Sequence, residues 1–177
     1  MSTLQVENLI GPTSGSNANK VIIPSGQTLD ASNGFVAPSG HVINQEMLTT
    51  TTEASVTSTT LTSVWTPSYT PVSNNSFVFA TFNMSMRMYN NSAPDGRSKM
   101  RIKINGTAVS YTDSLGTYDY GNSGAWSKMY YTYFTKYTNT STSTINYDFL
   151  IAQDGAMGVR IGENGAESQV TFTEIAQ

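Results

Sequence analysis

The sequence predicts an all-β protein in two parts: an N-terminal β-repeat arm over residues 1–50, then a C-terminal antiparallel, jelly-roll-like β-sandwich over residues 51–177. Three observations carry this. Ser and Thr supply 47 of the 177 residues and charged residues only 12%, so strong helix formers are scarce and β-branched and aromatic residues abundant. Apolar and polar residues alternate with a period of two through most of the second part. A short Pro-Ser-Gly unit occurs twice near the N-terminus, at a spacing that suits strand and turn rather than helix.

That unit comes first in the chain. In "VIIPSGQTLDASNGFVAPSGHVIN", Pro24-Ser25-Gly26 returns fourteen residues later as Pro38-Ser39-Gly40, and Leu29-Asp30 returns as Ile43-Asn44. Each copy reads as strand, turn and strand, because Pro fixes φ and Gly accepts the positive φ of the turn. A two-stranded unit with so few apolar side chains is marginal alone. Three copies meeting on an axis would close a shared stalk core from Val21, Ile22, Ile23, Leu29, Phe35, Val36, Val42 and Ile43. The other arrangement is a meander packed on its own sandwich.

A Ser/Thr-rich stretch follows, and its later part, "ASVTSTTLTSVW", is the first candidate strand of the sandwich. "FVFATFNMSMRMY" is the clearest, with Val78, Ala80, Phe82, Met84, Met86 and Met88 on one face. The turn "NNSAPDGRS" leads to "KMRIKIN", where Met100, Ile102 and Ile104 point inward, and the two strands read as a hairpin. Further candidates are "TAVSYT", "AWSKMYYTYFTKYT", "TINYDFLIAQ", "MGVRIG" and "SQVTFTEIA". Ten residues are expected in the core between two sheets: Phe82, Met84, Ile102, Ile104, Tyr147, Phe149, Val159, Ile161, Val170 and Phe172. About eight short antiparallel strands over roughly 120 residues suit two packed sheets.

Composition narrows the chemistry. A net charge of -3 argues against general nucleic-acid binding. The absence of Cys removes disulfides and thiolate zinc sites. No leader pattern and no long apolar run is present, so neither membrane insertion nor export is expected, and synthesis in a cytoplasm is. His41 occupies the place of Gln27 in the first repeat and reads as an outward polar residue. Asp113 with Asp119, and Asp148 with Asp154, form loose pairs that turn chemistry explains more simply than glycoside hydrolysis. "DSLGTYDYG" lacks EF-hand spacing, and the glycines of "DGAMGVRIGENG" fit no phosphate-binding pattern. No catalytic residue, metal ligand or cofactor is therefore expected.

Two surface features remain. Arg97, Lys99, Arg101 and Lys103 alternate along one strand face, as a stripe for an anionic partner or as a charged solvent face that discourages edge pairing. Eight of the ten tyrosines lie between Tyr111 and Tyr147. Within this region "YTDSLGTYDYGNSGAW" lacks alternation and reads as a long loop, and such loops on rigid scaffolds carry recognition. Tyr118, Tyr120 and Trp126 are its candidate rings for a receptor or a subunit interface, with Asp113 and Asp119 beside them to bond sugar hydroxyls or an ion.

The segments "MSTLQVENLIGPTSGSNANKVIIPSGQTLD", "TSVWTPSYTPVSNNSFVFATFNMSM" and "SQVTFTEIAQ" resemble the short appendage proteins of tailed bacteriophages, especially those of marine and cyanobacterial hosts. The resemblance implies a virion protein, commonly a homotrimer, whose arm binds other virion proteins and whose sandwich faces outward. On that reading the chain is a non-enzymatic, tail-fibre-like appendage that can touch a host-surface glycan. A capsid decoration or head-fibre protein is the alternative, and a glycan-degrading enzyme a distant third.

Overall fold

Alternation of side chains decides which face of each strand in the second part turns to the core. The computed structural model describes residues 13–15, 25, 38–90, 95–118, 126–155 and 157–177. Their strands are β1 (Val42–Thr50), β2 (Ala54–Val56), β3 (Thr62–Trp65), β4 (Ser68–Tyr69), β5 (Ser76–Asn90), β6 (Asp95–Ile104), β7 (Thr107–Tyr118), β8 (Trp126–Asn139), β9 (Ile145–Gly155), β10 (Met157–Ile161) and β11 (Ser168–Ala176). A single 3₁₀ turn, Glu163–Gly165, is the only helical element among the described residues.

The pairing is that of a long hairpin wound on itself. β1 pairs with β11, β3 with β9, β5 with β8 and β6 with β7, all antiparallel. First therefore meets last, second meets last but one, and so inward, which is the jelly-roll solution for closing two sheets. One sheet runs β1-β11-β5-β8, with β10 and β2 continuing it beyond the end of β11, and the other runs β3-β9-β6-β7, with β4 beside β9. Ala37–Gln177 forms one compact unit.

Between the sheets the apolar faces meet. All ten residues expected in the core are buried there, and Met86, Met88, Met100, Ile145 and Ile151 join them. Phe82 of the first sheet lies 5.7 Å from Phe149 and 6.1 Å from Tyr147 of the second, ring centre to ring centre. Strand β11 alternates buried and half-buried residues along its whole length, so the period-two reading holds to the end of the chain.

Four expectations are corrected. Val42–Thr50, assigned to the arm, is an edge strand of the sandwich, and the compact unit begins at Ala37 rather than at 51. Its apolar residues come as adjacent pairs, Val42-Ile43 and Met47-Leu48, so no alternation betrays it. Of the eight stalk residues, Val42 is exposed on this strand and Ile43 half-buried; Val21, Ile22, Ile23, Leu29, Phe35 and Val36 lie outside the described residues. The stretch from Ala54 to Trp65 is two short strands in different sheets, not one. β5 and β6 form no hairpin, because both edges of β5 are already taken by β8 and by β11 with β10, and β6 belongs to the opposite sheet. Finally, residues 111–118 are strand rather than loop, paired with β6 through two register shifts that interrupt the side-chain alternation. The expected turn at Pro38-Ser39-Gly40 does form: Gly40 has φ +87°, and the His41 amide donates to the Pro38 carbonyl at 3.2 Å.

Candidate interaction surface

The outer face of the first sheet is where the large exposed side chains gather. Residues directly opposite one another share a face, so the register gives its rows: Val42, Ile175, Phe77 and Thr138; then Gln45, Thr173, Phe79 and Lys136; then Met47, Thr171, Thr81 and Phe134. Val42 is 59% exposed, Met47 60% and Phe134 61%, and Tyr130, further along β8, 67%. Phe134 stacks on Phe79 at 5.4 Å, and Lys136 holds its ammonium 3.6 Å from the centre of the Phe77 ring. Such a cation over a ring contributes about 0.5–1 kcal/mol at an exposed site. On the inner face of β8, Tyr131, Tyr133 and Tyr137 are partly buried against the core. Burial raises the Tyr131 and Tyr133 phenols above their usual range.

The other sheet carries the basic stripe on its central strand. Lys99, Arg101 and Lys103 are half-buried, opposite Ala152, Leu150 and Asp148 of β9. Leu150 and Ala152 are buried on that outward face, so the aliphatic stems of the neighbouring basic residues are placed to cover apolar floor. Lys103 has an acidic cross-strand neighbour in Asp148, which also accepts a hydrogen bond from Ser63 Oγ. The backbone of Arg97 pairs with that of Asp154.

The expected recognition segment is divided by the fold. Asp113 and Tyr118 stand on β7, and Trp126 opens β8 opposite Tyr89. Asp119 and Tyr120 lie outside the described residues. His41 is exposed, as expected, with Nδ1 3.2 Å from the Pro38 carbonyl oxygen. No group of three or more metal-ligating side chains occurs among the described residues. No helix there is long and apolar enough to cross a membrane.

Sequence reasoning missed the polar interior. Glu174 points inward from β11 and is fully buried, and its two carboxylate oxygens accept four hydrogen bonds. Oε2 takes the Tyr69 hydroxyl at 2.8 Å and the Val72 amide at 2.9 Å. Oε1 takes the Ser73 amide at 3.0 Å and the Ser76 hydroxyl at 2.7 Å. Asn139 of β8 extends the network, donating to the Ser73 carbonyl at 2.6 Å. The signal was present in "TFTEIA", where alternation puts Glu174 on the same face as Val170 and Phe172. A second ionic cluster joins Arg87, Glu163 and Arg160, which lies 3.2 Å from Glu163.

Neither a protein-family model nor a curated protein matches the sequence. Among solved structures, the chain is similar to part of dimeric latent PorU from Porphyromonas gingivalis, at 14% identity and a TM-score of 0.45, covering 81% of this chain and 14% of that one. It is also similar to the VP2 subviral particle of infectious bursal disease virus, at 15% identity and a TM-score of 0.39, covering 94% of this chain and 46% of that one. The Gt strain of the same virus gives 12% identity and a TM-score of 0.39, with 88% and 41% covered. The chain thus spans less than half the length of each of these proteins.

Proposed function

We propose that this chain is a structural protein of a virion, a short tail-fibre-like trimeric appendage of a tailed bacteriophage that works through contact rather than catalysis. On this reading the N-terminal arm gathers the three copies and engages other virion proteins. The sandwich faces outward, where Tyr118, Tyr120 and Trp126, with Asp113 and Asp119, meet a host-surface glycan. The observation that carries the reading is the exposed apolar face of the first sheet, with Phe134, Met47 and Val42 each more than half accessible. Large exposed apolar side chains gathered on one sheet face suit a contact surface, and the buried polar groups beneath it are engaged in tying strands together.

The same face favours a second reading, a capsid decoration or head-fibre protein. The exposed rings stand on the side of a sheet rather than at a loop tip, and a broad lateral face suits a neighbouring subunit better than a small glycan. Density-gradient purification of particles, followed by antibody labelling of this chain under the electron microscope, tests both. Label on the tail supports the fibre, and label on the head supports the decoration protein. A chain that separates from the particles refutes the virion assignment.

A further inference from the structure

Among the described residues the sheets end at β1, β2, β3/β4, β7 and β8; β2 is only three residues long, and three of the other four edges carry the devices by which β proteins prevent a further strand from adding. The β3/β4 edge is short and interrupted at Pro67, with strands of four and two residues. The β7 edge is broken by two register shifts against β6. The β1 edge has a register shift between Val42 and Asn44, and an exposed Glu46 on the inward-facing side, opposite buried Phe172. β8 differs from all three. It pairs with β5 over fourteen consecutive positions without a shift, and contains neither Pro nor Gly. From Thr132 to Thr138 no described strand pairs with its other edge, and Lys136 is the only charged residue there.

We propose that the β8 edge is the pairing site for β8 of a second copy of this chain, the two strands running antiparallel across a two-fold axis to join two first sheets into one. The pattern of β8 selects this occupant. Aromatic residues stand on both of its faces, Tyr130 and Phe134 outward, Tyr133 and Tyr137 inward, so a matching strand must be apolar on both faces as well. β8 itself meets that requirement, and the charged edge of β1 does not. A register pivoting on Tyr133 sets Phe134 opposite the second copy's Thr132, and Lys136 opposite the second copy's Tyr130. By symmetry each of these pairs occurs twice, a cation beside a ring in the second case. The two-fold contact is independent of how many chains the arm gathers, and so goes beyond the appendage reading.

The chain has no cysteine, so engineered thiols report on this contact without background. Full-length T132C and F134C chains, mixed one to one, place thiols on directly opposed residues, where antiparallel strands bring Cα atoms to about 4.5–5.5 Å, within disulfide reach. The expected result is a disulfide-linked dimer in the mixture as the main product on mild oxidation. A mixture of Q45C and T49C chains, on the guarded β1 edge, should give little. Tyr130→Lys, at an exposed site, should raise the dissociation constant of the pair by about tenfold, because two Lys-Tyr contacts become two Lys-Lys contacts. Cross-linking on β8 no greater than on β1, or an unchanged dissociation constant in Tyr130→Lys, overturns the proposal. A trimer without β8 linkage would refute this contact and leave the appendage reading standing. A linked chain absent from particles would refute that reading and leave the contact.

Discussion

Glu174→Gln isolates what a buried carboxylate contributes to this sandwich. Each carboxylate oxygen serves one backbone amide and one hydroxyl: Val72 and Tyr69 on one side, Ser73 and Ser76 on the other. Glutamine keeps a single acceptor oxygen. Whichever way the amide turns, its NH₂ faces one hydroxyl, which can rotate and accept, and one backbone N–H, which cannot. An orphaned buried donor costs about 1–3 kcal/mol, and the surviving bonds lose their charge assistance at roughly 0.5–1 kcal/mol each. The total is about 3 kcal/mol, and for a chain of this size 1 kcal/mol moves Tm by about 2–4 °C, so a fall of roughly 6–12 °C is expected. Thermal unfolding followed by circular dichroism, with Glu167→Gln as an exposed charge-matched control, measures it. Glu167→Gln should stay within about 0.5 kcal/mol of the parent. A Glu174→Gln melt within about 2 °C of the parent would show that the network is not holding the segment between β4 and β5 to β11.

Tyr147 is buried, and its hydroxyl has no hydrogen-bond partner among the described residues, whereas the Tyr69 hydroxyl donates to Glu174 and accepts from Asn44 at 3.0 Å. Tyr147→Phe should therefore raise stability by about 1 kcal/mol in denaturant titrations while Tyr69→Phe lowers it by about 1–2 kcal/mol; the opposite order would refute the assignment of partners. Gly162 has φ +67°, and a Cβ there would lie 2.5 Å from the Thr52 carbonyl oxygen, so Gly162→Ala should cost more than about 2 kcal/mol. Gly106→Ala, at φ +83° with open space around it, should cost about 1 kcal/mol, and equal melting points would contradict the close approach. Burial raises the phenol pKa of Tyr69, Tyr133 and Tyr147 above the usual 10.0, so the folded state favours the neutral form. Their contribution to stability is fully present below about pH 10 and is lost as pH climbs towards the raised folded values. An ultraviolet titration should show these phenols ionising only as circular dichroism reports unfolding, and ionisation at the usual pKa in a folded chain would contradict their burial.

Side-chain direction was legible in the sequence because it depends on a local period. In β5, β6, β9, β10 and β11 the alternating residues all reached the core. Partner choice was not legible, since it depends on which edges are already occupied. The β5–β6 hairpin failed for that reason, although its connecting turn reads plausibly. The expected strand "TAVSYT" is the first half of β7, but its continuation to Tyr118 was hidden by register shifts, which put two residues of one strand against one of the other and break the alternation. The loop reading of residues 111–118 failed with it, because Asp113 and Tyr118 looked like loop residues only while their alternation was concealed. Glu174 was hidden by habit of a different kind: a lone glutamate near a chain end suggests solvent, and its four donors come from a segment about a hundred residues earlier.

The first sheet is organised around β5, and the turn glycines of "IGENGAES" take their meaning from it. One edge of β5 is covered throughout by β8, but the other is shared, β11 pairing as far as Asn83 and β10 beginning at Met86. Between them Ser85 would present an unpaired amide and carbonyl inside the protein. The Ser168 hydroxyl accepts from the Ser85 amide at 3.0 Å, and the Gly162 amide donates to the Ser85 carbonyl at 3.3 Å. Both missing ladder bonds are thereby replaced from the segment that carries the chain from β10 to β11. Glu163 of that segment then pairs with Arg87 and Arg160 above the same junction. Gly162 is required here for two reasons at once, its positive φ and the Thr52 carbonyl against it. The residues that the sequence offers as simple turn punctuation are thus what allows one long strand to serve two shorter partners, and β8, spanning both, keeps an uninterrupted edge.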